Sequence, residues 1–415
     1  MSNHQNNNAL GLGLGMLLLF GLLVSIGAAT TDIYFPALPS LQAFFEVDAP
    51  AVQTTLSVFL VGLACGQILF GPLSDRYGRR QLLLGGLILF IVGSLLAAVS
   101  PQLWVLLCAR FIQAMGAAAA VVITRAMVTD CFTGQQAARI HGLLMQIMAA
   151  ATIVAPVIGG WIVGAYNWQT IFFLLALFGF FCLVAAWMKT KETLPVEARA
   201  AGGLNNLLHS WGQLARNRRF VLLVLSSGFT MAAMYAVMMG SAFVYVDQFG
   251  WSARNYGLLY GGTTVCFITA AWANDLALRR YSPWRLIAWA LPFQLLICAV
   301  MAVAAVVDVL TPAILAVALC ILMANVAFVH GNLVAAVLEE ARAVPGLGAG
   351  LLGVAQYGMS AFTPLAAQLA GGTALFSMTL STLAFAVLAL LPFAFARRSL
   401  SDAVAVVDGR SPEVQ

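Results

Sequence analysis

Two charged side chains stand inside long apolar runs of this sequence. Asp32 lies in SIGAATTDIYFPALP and Arg110 in LWVLLCARFIQAMGAAAA. An ionised group within hydrocarbon costs at least ~2.5 kcal/mol even on the most lenient insertion scale, so each one needs a reason. A carboxyl group whose surroundings alternate between a desolvated neutral form and a hydrated or arginine-paired ionised form can take up and release a proton. Asp32 and Arg110 are therefore the candidate proton-coupling residues. Protonating Asp32 would remove its attraction for Arg110, or for a cationic or polar solute, and bias the chain toward another state. The alternative is a buried ion pair that locks two helices together, and such pairs seldom stabilise more than apolar packing would.

The elements that carry these residues follow from composition. Only 8% of the 415 residues are charged and 62% are apolar, whereas a soluble domain needs about 25% charge. Apolar runs of about 20 residues, each long enough to span a bilayer, fall near 11–35, 51–73, 81–99, 102–125, 139–163, 168–188, 220–245, 255–275, 284–307, 312–334, 347–370 and 373–396. They are too long and too uniformly apolar for the strands of a membrane barrel. An all-α membrane protein with twelve transmembrane helices is expected.

Basic residues orient the bundle. Arg76, Arg79, Arg80, Arg139, the stretch from Lys189 to Arg219, Arg279, Arg280, Arg285, Arg342, Arg397 and Arg398 all follow even-numbered segments. The opposite connections hold one basic residue, Arg254. By the positive-inside rule both termini are cytoplasmic. Segment 1 then runs outward and segment 4 inward, which puts Asp32 and Arg110 at comparable depth. Ser25, Ala29, Asp32 and Pro36 share one face of segment 1, and Arg110, Gln113, Ala117 and Thr124 one face of segment 4. The net charge of +5 belongs to the cytoplasmic leaflet and offers no basic face to nucleic acid. Residues 1–10 lack the basic region of a signal peptide and are expected to be a disordered lead. Seven scattered cysteines show no metal spacing, so neither a metal, a cofactor nor a disulfide is expected. No nucleophile–base constellation points to an enzyme.

The polar stretch 189–219 divides the chain into six-segment halves, 11–188 and 220–396, followed by a tail, 397–415. Its piece LLHSWGQLARNRRF is amphipathic and suits a helix on the membrane surface. Between segments 2 and 3 stands GPLSDRYGRR, residues 71–80, and between segments 8 and 9 stands AWANDLALRRY, residues 271–281. A shift of 200 lays Asp275 on Asp75 and Arg279-Arg280 on Arg79-Arg80, an internal repeat. The first copy resembles the loop signature Gly-x-Leu-x-Asp-Arg-x-Gly-Arg-Arg of the major facilitator superfamily, matched by Gly71, Leu73, Asp75, Arg76, Gly78, Arg79 and Arg80. That resemblance implies twelve helices in two halves with pseudo-two-fold symmetry and cargo bound between them.

Other residues extend the resemblance. Arg110, Gln113 and Gly116 are similar to the family's motif on helix 4. Ala151, Ala155, Pro156, Gly159 and Gly160 resemble its antiporter motif Gly-x-x-x-Gly-Pro-x-x-Gly-Gly, with two glycines replaced by alanine. Asp32, Tyr34, Pro36, Ala37 and Pro39 resemble the helix 1 segment of the bicyclomycin and chloramphenicol resistance (Bcr/CflA) branch of drug:proton antiporters. The function implied is export of small amphipathic drugs across the bacterial inner membrane in exchange for protons, by a monomer in the lipid bilayer. An exporter of one metabolite (a sugar, amino acid or siderophore) shares all these motifs. Polar and aromatic residues inside the segments are candidate cargo contacts: Tyr34, Gln146, Tyr235, Tyr260, Asn325, Gln356 and Tyr357. His330 is expected to be a satisfied interior histidine. Candidate gating residues are Asp75, Arg76, Arg79, Arg80, Asp130, Ala155, Pro156, Gly159 and Gly160.

Overall fold

The computed structural model describes residues 13–195, 212, 214–342 and 345–407. The N-terminal lead, and residues 207–211 and 213 of the expected amphipathic link, lie outside these residues. Among the described residues the α-helices run in order: α1 (Leu14–Asp32), α2 (Leu38–Phe45), α3 (Ala49–Tyr77), α4 (Arg79–Ala98), α5 (Leu103–Cys131), α6 (Gly134–Ala165) and α7 (Gln169–Lys189), then α8 (Arg218–Phe243), α9 (Ala253–Leu278), α10 (Pro283–Val306), α11 (Pro312–Glu340), α12 (Pro345–Ser360), α13 (Thr363–Ala370) and α14 (Ala374–Val407). Ten of the described spans, with α1 and α2 counted as one, are long and apolar enough to cross a membrane. The other two expected segments fall on α9, diluted by Arg254, Asn255, Asn274 and Asp275, and on the broken pair α12–α13.

Prolines set the breaks. Pro364 has no N–H to give the carbonyl of Ser360, so α12 ends there, and the Thr363 hydroxyl donates to that carbonyl instead at 2.9 Å. Between α3 and α4 the chain reverses on one residue. Gly78 adopts φ 96°, a backbone conformation that a side chain would strain.

The chain divides into two compact units, Met1–Gly203 with Ser241–Val265, and Leu204–Gly240 with Cys266–Gln415. In the first unit, α5 sits at the centre. Its Gly116 lies against the Phe90 backbone of α4, and Gly93 of α4 lies against Gln113. Close approach at such missing side chains lets the packing of backbones hold membrane helices together. The second unit has an apolar core that includes Leu223, Ile287, Leu291, Val329, Leu333 and Phe393.

Candidate functional site

Pro36 decides where the first span breaks. It cannot donate to the carbonyl of Asp32, and α1 ends at that residue. The chain continues through Ile33, Tyr34 and one 3₁₀ turn, Phe35–Ala37, into α2. Asp32 therefore occupies the C-terminus of α1, half-buried. The Tyr260 hydroxyl of α9 donates to its Oδ1 at 3.0 Å, and the Tyr260 ring stacks on Phe35 with centroids 5.1 Å apart. On α6, Gly159 faces the same break, where a Cβ would meet the carbonyl oxygen of Ile33. Its neighbour Gly160 lies against the backbone of Ala253 and Gly257 on α9, and Gly257 in turn against the Pro156 carbonyl. Ala155 and Pro156 are buried in this seam. The small residues of α6 thus fix the backbone beside Asp32 and also the helix that carries its hydrogen-bond partner.

Arg110 on α5 is fully buried. One guanidinium nitrogen, Nη1, donates to Gln113 Oε1 at 2.7 Å. Gln113 Nε2 donates to Ser94 Oγ at 2.8 Å, and Ser94 donates to the Phe90 carbonyl at 2.7 Å. The remaining surroundings are rings: the guanidinium carbon lies 4.0 Å from the Phe59 centroid, 4.4 Å from Tyr34 and 5.7 Å from Phe172. Nε and Nη2 have no acceptor among the described residues. Each desolvated cation–π contact contributes roughly 2 kcal/mol, less than it costs to bury an arginine without an anion. The Tyr34 hydroxyl shares a 2.8 Å hydrogen bond with Thr55, so Tyr34 is a wall of this cage.

The pairing of Asp32 with Arg110 that their depths suggest is not formed in this structure. Asp32 bonds Tyr260, and Arg110 is enclosed by aromatic rings. Equal depth brings two helical residues together only if both point along the same line, and each residue turns about 100° around the helix axis. An arginine kept without a carboxylate is a poor structural device. Arg110→Met, similar in bulk, is expected to leave thermal stability unchanged or raise it by about 1–4 kcal/mol. Thermal unfolding of the variant checks this.

At the opposite end of the unit, Arg79 gathers three helices. It pairs with Asp75 at 2.5 Å and with Asp130 of α5 at 3.0 Å, and it donates to Ser74 Oγ at 2.6 Å. Arg76 is exposed, over the Tyr77 ring. Glu192, absent from the sequence-based candidates, accepts from the backbone N–H groups of Arg79 at 2.8 Å and Arg80 at 3.2 Å. Arg80 donates to the carbonyls of Thr190 and Trp187, both at 2.9 Å. The start of α4 and the end of α7 thus cap each other with charges that suit their dipoles. Glu192→Ala is expected to lower stability by about 1 kcal/mol, as for other lost N-caps, and Glu192→Gln by less; thermal unfolding measures both.

The remaining candidates are dispersed. Gln146 is exposed on α6, two turns before Ile153 on the face that meets Gly261 of α9. In the second unit Gln356 of α12 donates to Ser227 Oγ of α8 at 2.9 Å, with His330 Nδ1 of α11 at 3.5 Å. Tyr235 is buried on α8, and Tyr357 is half-buried next to Gln356. Asn325 stands apart, donating to the Ala290 carbonyl at 3.1 Å in a groove walled by Trp289, Phe293 and Phe328.

A family model described as Major Facilitator Superfamily matches residues 17–364. The chain is 33% identical over 262 residues to a "Chloramphenicol resistance protein" of Pseudomonas aeruginosa, covering 61% of this chain and 58% of that one. It is 26% identical over 283 residues to a "Bicyclomycin resistance protein homolog" of Haemophilus influenzae, covering 68% and 70%. Among solved structures, a D-xylose-proton symporter superposes with a TM-score of 0.70 at 14% identity, over 92% of this chain and 96% of the other.

Proposed function

Because the chain belongs to the Major Facilitator Superfamily, a family of multi-pass membrane transporters, we propose that it exports small amphipathic drugs in exchange for protons. One observation carries this reading. The single acid placed within the first span sits at a helix break and is bonded by a side chain of a different span, Tyr260 of α9. Protonating Asp32 removes the charge that strengthens this bond, so the proton is linked to how α9 docks on the first span. The names of the two relatives support drugs as cargo, in the class of chloramphenicol and bicyclomycin.

In this reading Asp32 takes the proton. Arg110, caged without an anion, presents a positive field that opposes a second proton nearby. The candidate cargo contacts are Gln146 and Tyr260 in the first unit and Tyr235, Gln356 and Tyr357 in the second. Tyr34 is a cage wall for Arg110, and the Asn325 amide is committed to Ala290. The salt bridges of Arg79 and the glycine seam of α6 set which state is favoured. The chain works as a monomer in the bacterial inner membrane with both termini in the cytoplasm, as the distribution of basic residues supports.

Inverted membrane vesicles test the reading. Respiration acidifies the lumen, and addition of cargo should then drive protons out and raise luminal pH only in vesicles that contain the chain. If the chain restores growth of a pump-deficient host in the presence of drugs that move no protons in vesicles, the antiport reading fails.

A further inference from the structure

Arg254 is the one basic residue in the connections opposite the cytoplasmic side of the sequence, and the function proposed above makes no use of it. It is also badly placed for its helix. As the second residue of α9 it sets a cation against the positive end of the helix dipole. It is exposed and has no acidic partner among the described residues.

The structure gives it a different setting. Arg254 lies at a cavity of about 350 Å³ whose other walls are Val157, Ile158 and Trp161 of α6 and Leu258 of α9. Trp161 and Leu258 are more than half exposed, so the cavity is a groove open along the side of two membrane helices. The same two helices touch through Gly160 and Gly257, next in sequence to Trp161 and Leu258. An apolar channel with one cation and one indole matches a single amphiphile with an anionic head. A zwitterionic lipid also carries a phosphate, but its own ammonium group offsets the attraction to Arg254, and a cationic lipid would be repelled.

We propose that this groove holds an acyl chain of an anionic phospholipid from the outer leaflet, with the lipid phosphate paired to Arg254. The choice of leaflet rests on the orientation proposed above; the site itself does not depend on the cargo or on proton coupling. The lipid would lie across the glycine seam between α6 and α9. The anionic lipid content of the membrane would then affect how readily those helices part.

The full-length chain in nanodiscs provides the test, with phosphatidylglycerol or phosphatidylcholine brominated in mid-chain as quenchers. Subtracting the fluorescence of Trp161→Phe from that of the wild type isolates the groove tryptophan. Its half-quenching is expected at about fivefold lower mole fraction of brominated phosphatidylglycerol than of brominated phosphatidylcholine, the ratio for one lysine or arginine near a membrane surface. Arg254→Gln should remove the difference and Arg254→Lys should keep it. Equal quenching by the two lipids, or a preference that survives Arg254→Gln, overturns the proposal. So does a cargo drug that displaces both lipids alike and loses its effect in Arg254→Gln, since the groove would then be a cargo exit. Should Trp161→Phe not fold, native mass spectrometry replaces the subtraction: the wild type should retain one more phosphatidylglycerol than Arg254→Gln, and equal retention refutes the site.

Discussion

Asp32→Asn should abolish cargo-driven proton movement in inverted vesicles while leaving exchange of labelled for unlabelled cargo intact. The carboxamide has almost the shape of a protonated carboxyl and keeps an oxygen for the Tyr260 hydroxyl, which lies 3.0 Å from Oδ1 in the wild type. What it cannot do is lose a proton. A chain fixed in this way can still carry cargo down its gradient. It has no means of linking that movement to the proton gradient, so uphill accumulation falls to background. Accumulation of cargo against its gradient by Asp32→Asn would show that the coupling group is elsewhere. Tyr260→Phe separates the acid from its partner. It is expected to weaken coupling together with the docking of α9, since a hydrogen bond to a charged group contributes roughly 1.5–3 kcal/mol.

Gly159→Val is expected to be nearly as severe by a different route. Even a Cβ at this position runs into the carbonyl oxygen of Ile33, which is backbone and cannot swing aside. Overpacking of this kind costs about 1–3 kcal/mol, and relief requires the chain next to Asp32 to move. Export should be lost although the chain folds and inserts. Gly142→Val offers the control, since nothing lies within 4 Å of a Cβ there. Near-normal export by Gly159→Val would mean that the backbone after Asp32 is not held by α6.

Much of this was legible in the sequence, for physical reasons. Charged residues are so costly in hydrocarbon that Asp32 and Arg110 announce themselves, and the stripe of Arg110, Gln113, Ala117 and Thr124 is buried throughout. Pro36 marks a real break because a missing N–H acts locally. What could not be read is what depends on partners far along the chain. Tyr260 is 228 residues from Asp32, and Glu192 is 113 residues from the N–H of Arg79 that it caps. No local spacing encodes either contact. The aromatic cage of Arg110 draws on α3, α7 and the residue two beyond Asp32, so only the folded chain assembles it. Nor does the sequence indicate that the Asn325 amide donates to the Ala290 carbonyl, 35 residues away.

The reciprocal caps at Glu192 and Arg80 also bear on mechanics. Arg79 binds the end of α3 and Asp130 near the end of α5, while Glu192 and Arg80 fasten α4 to α7. Four helix ends joined in this way cannot splay one at a time. Torque applied to any of them is shared by the rest, so this rim of the first unit behaves as a stiff lever arm. Small displacements at the break beside Asp32 would then be carried to that rim with little loss to bending.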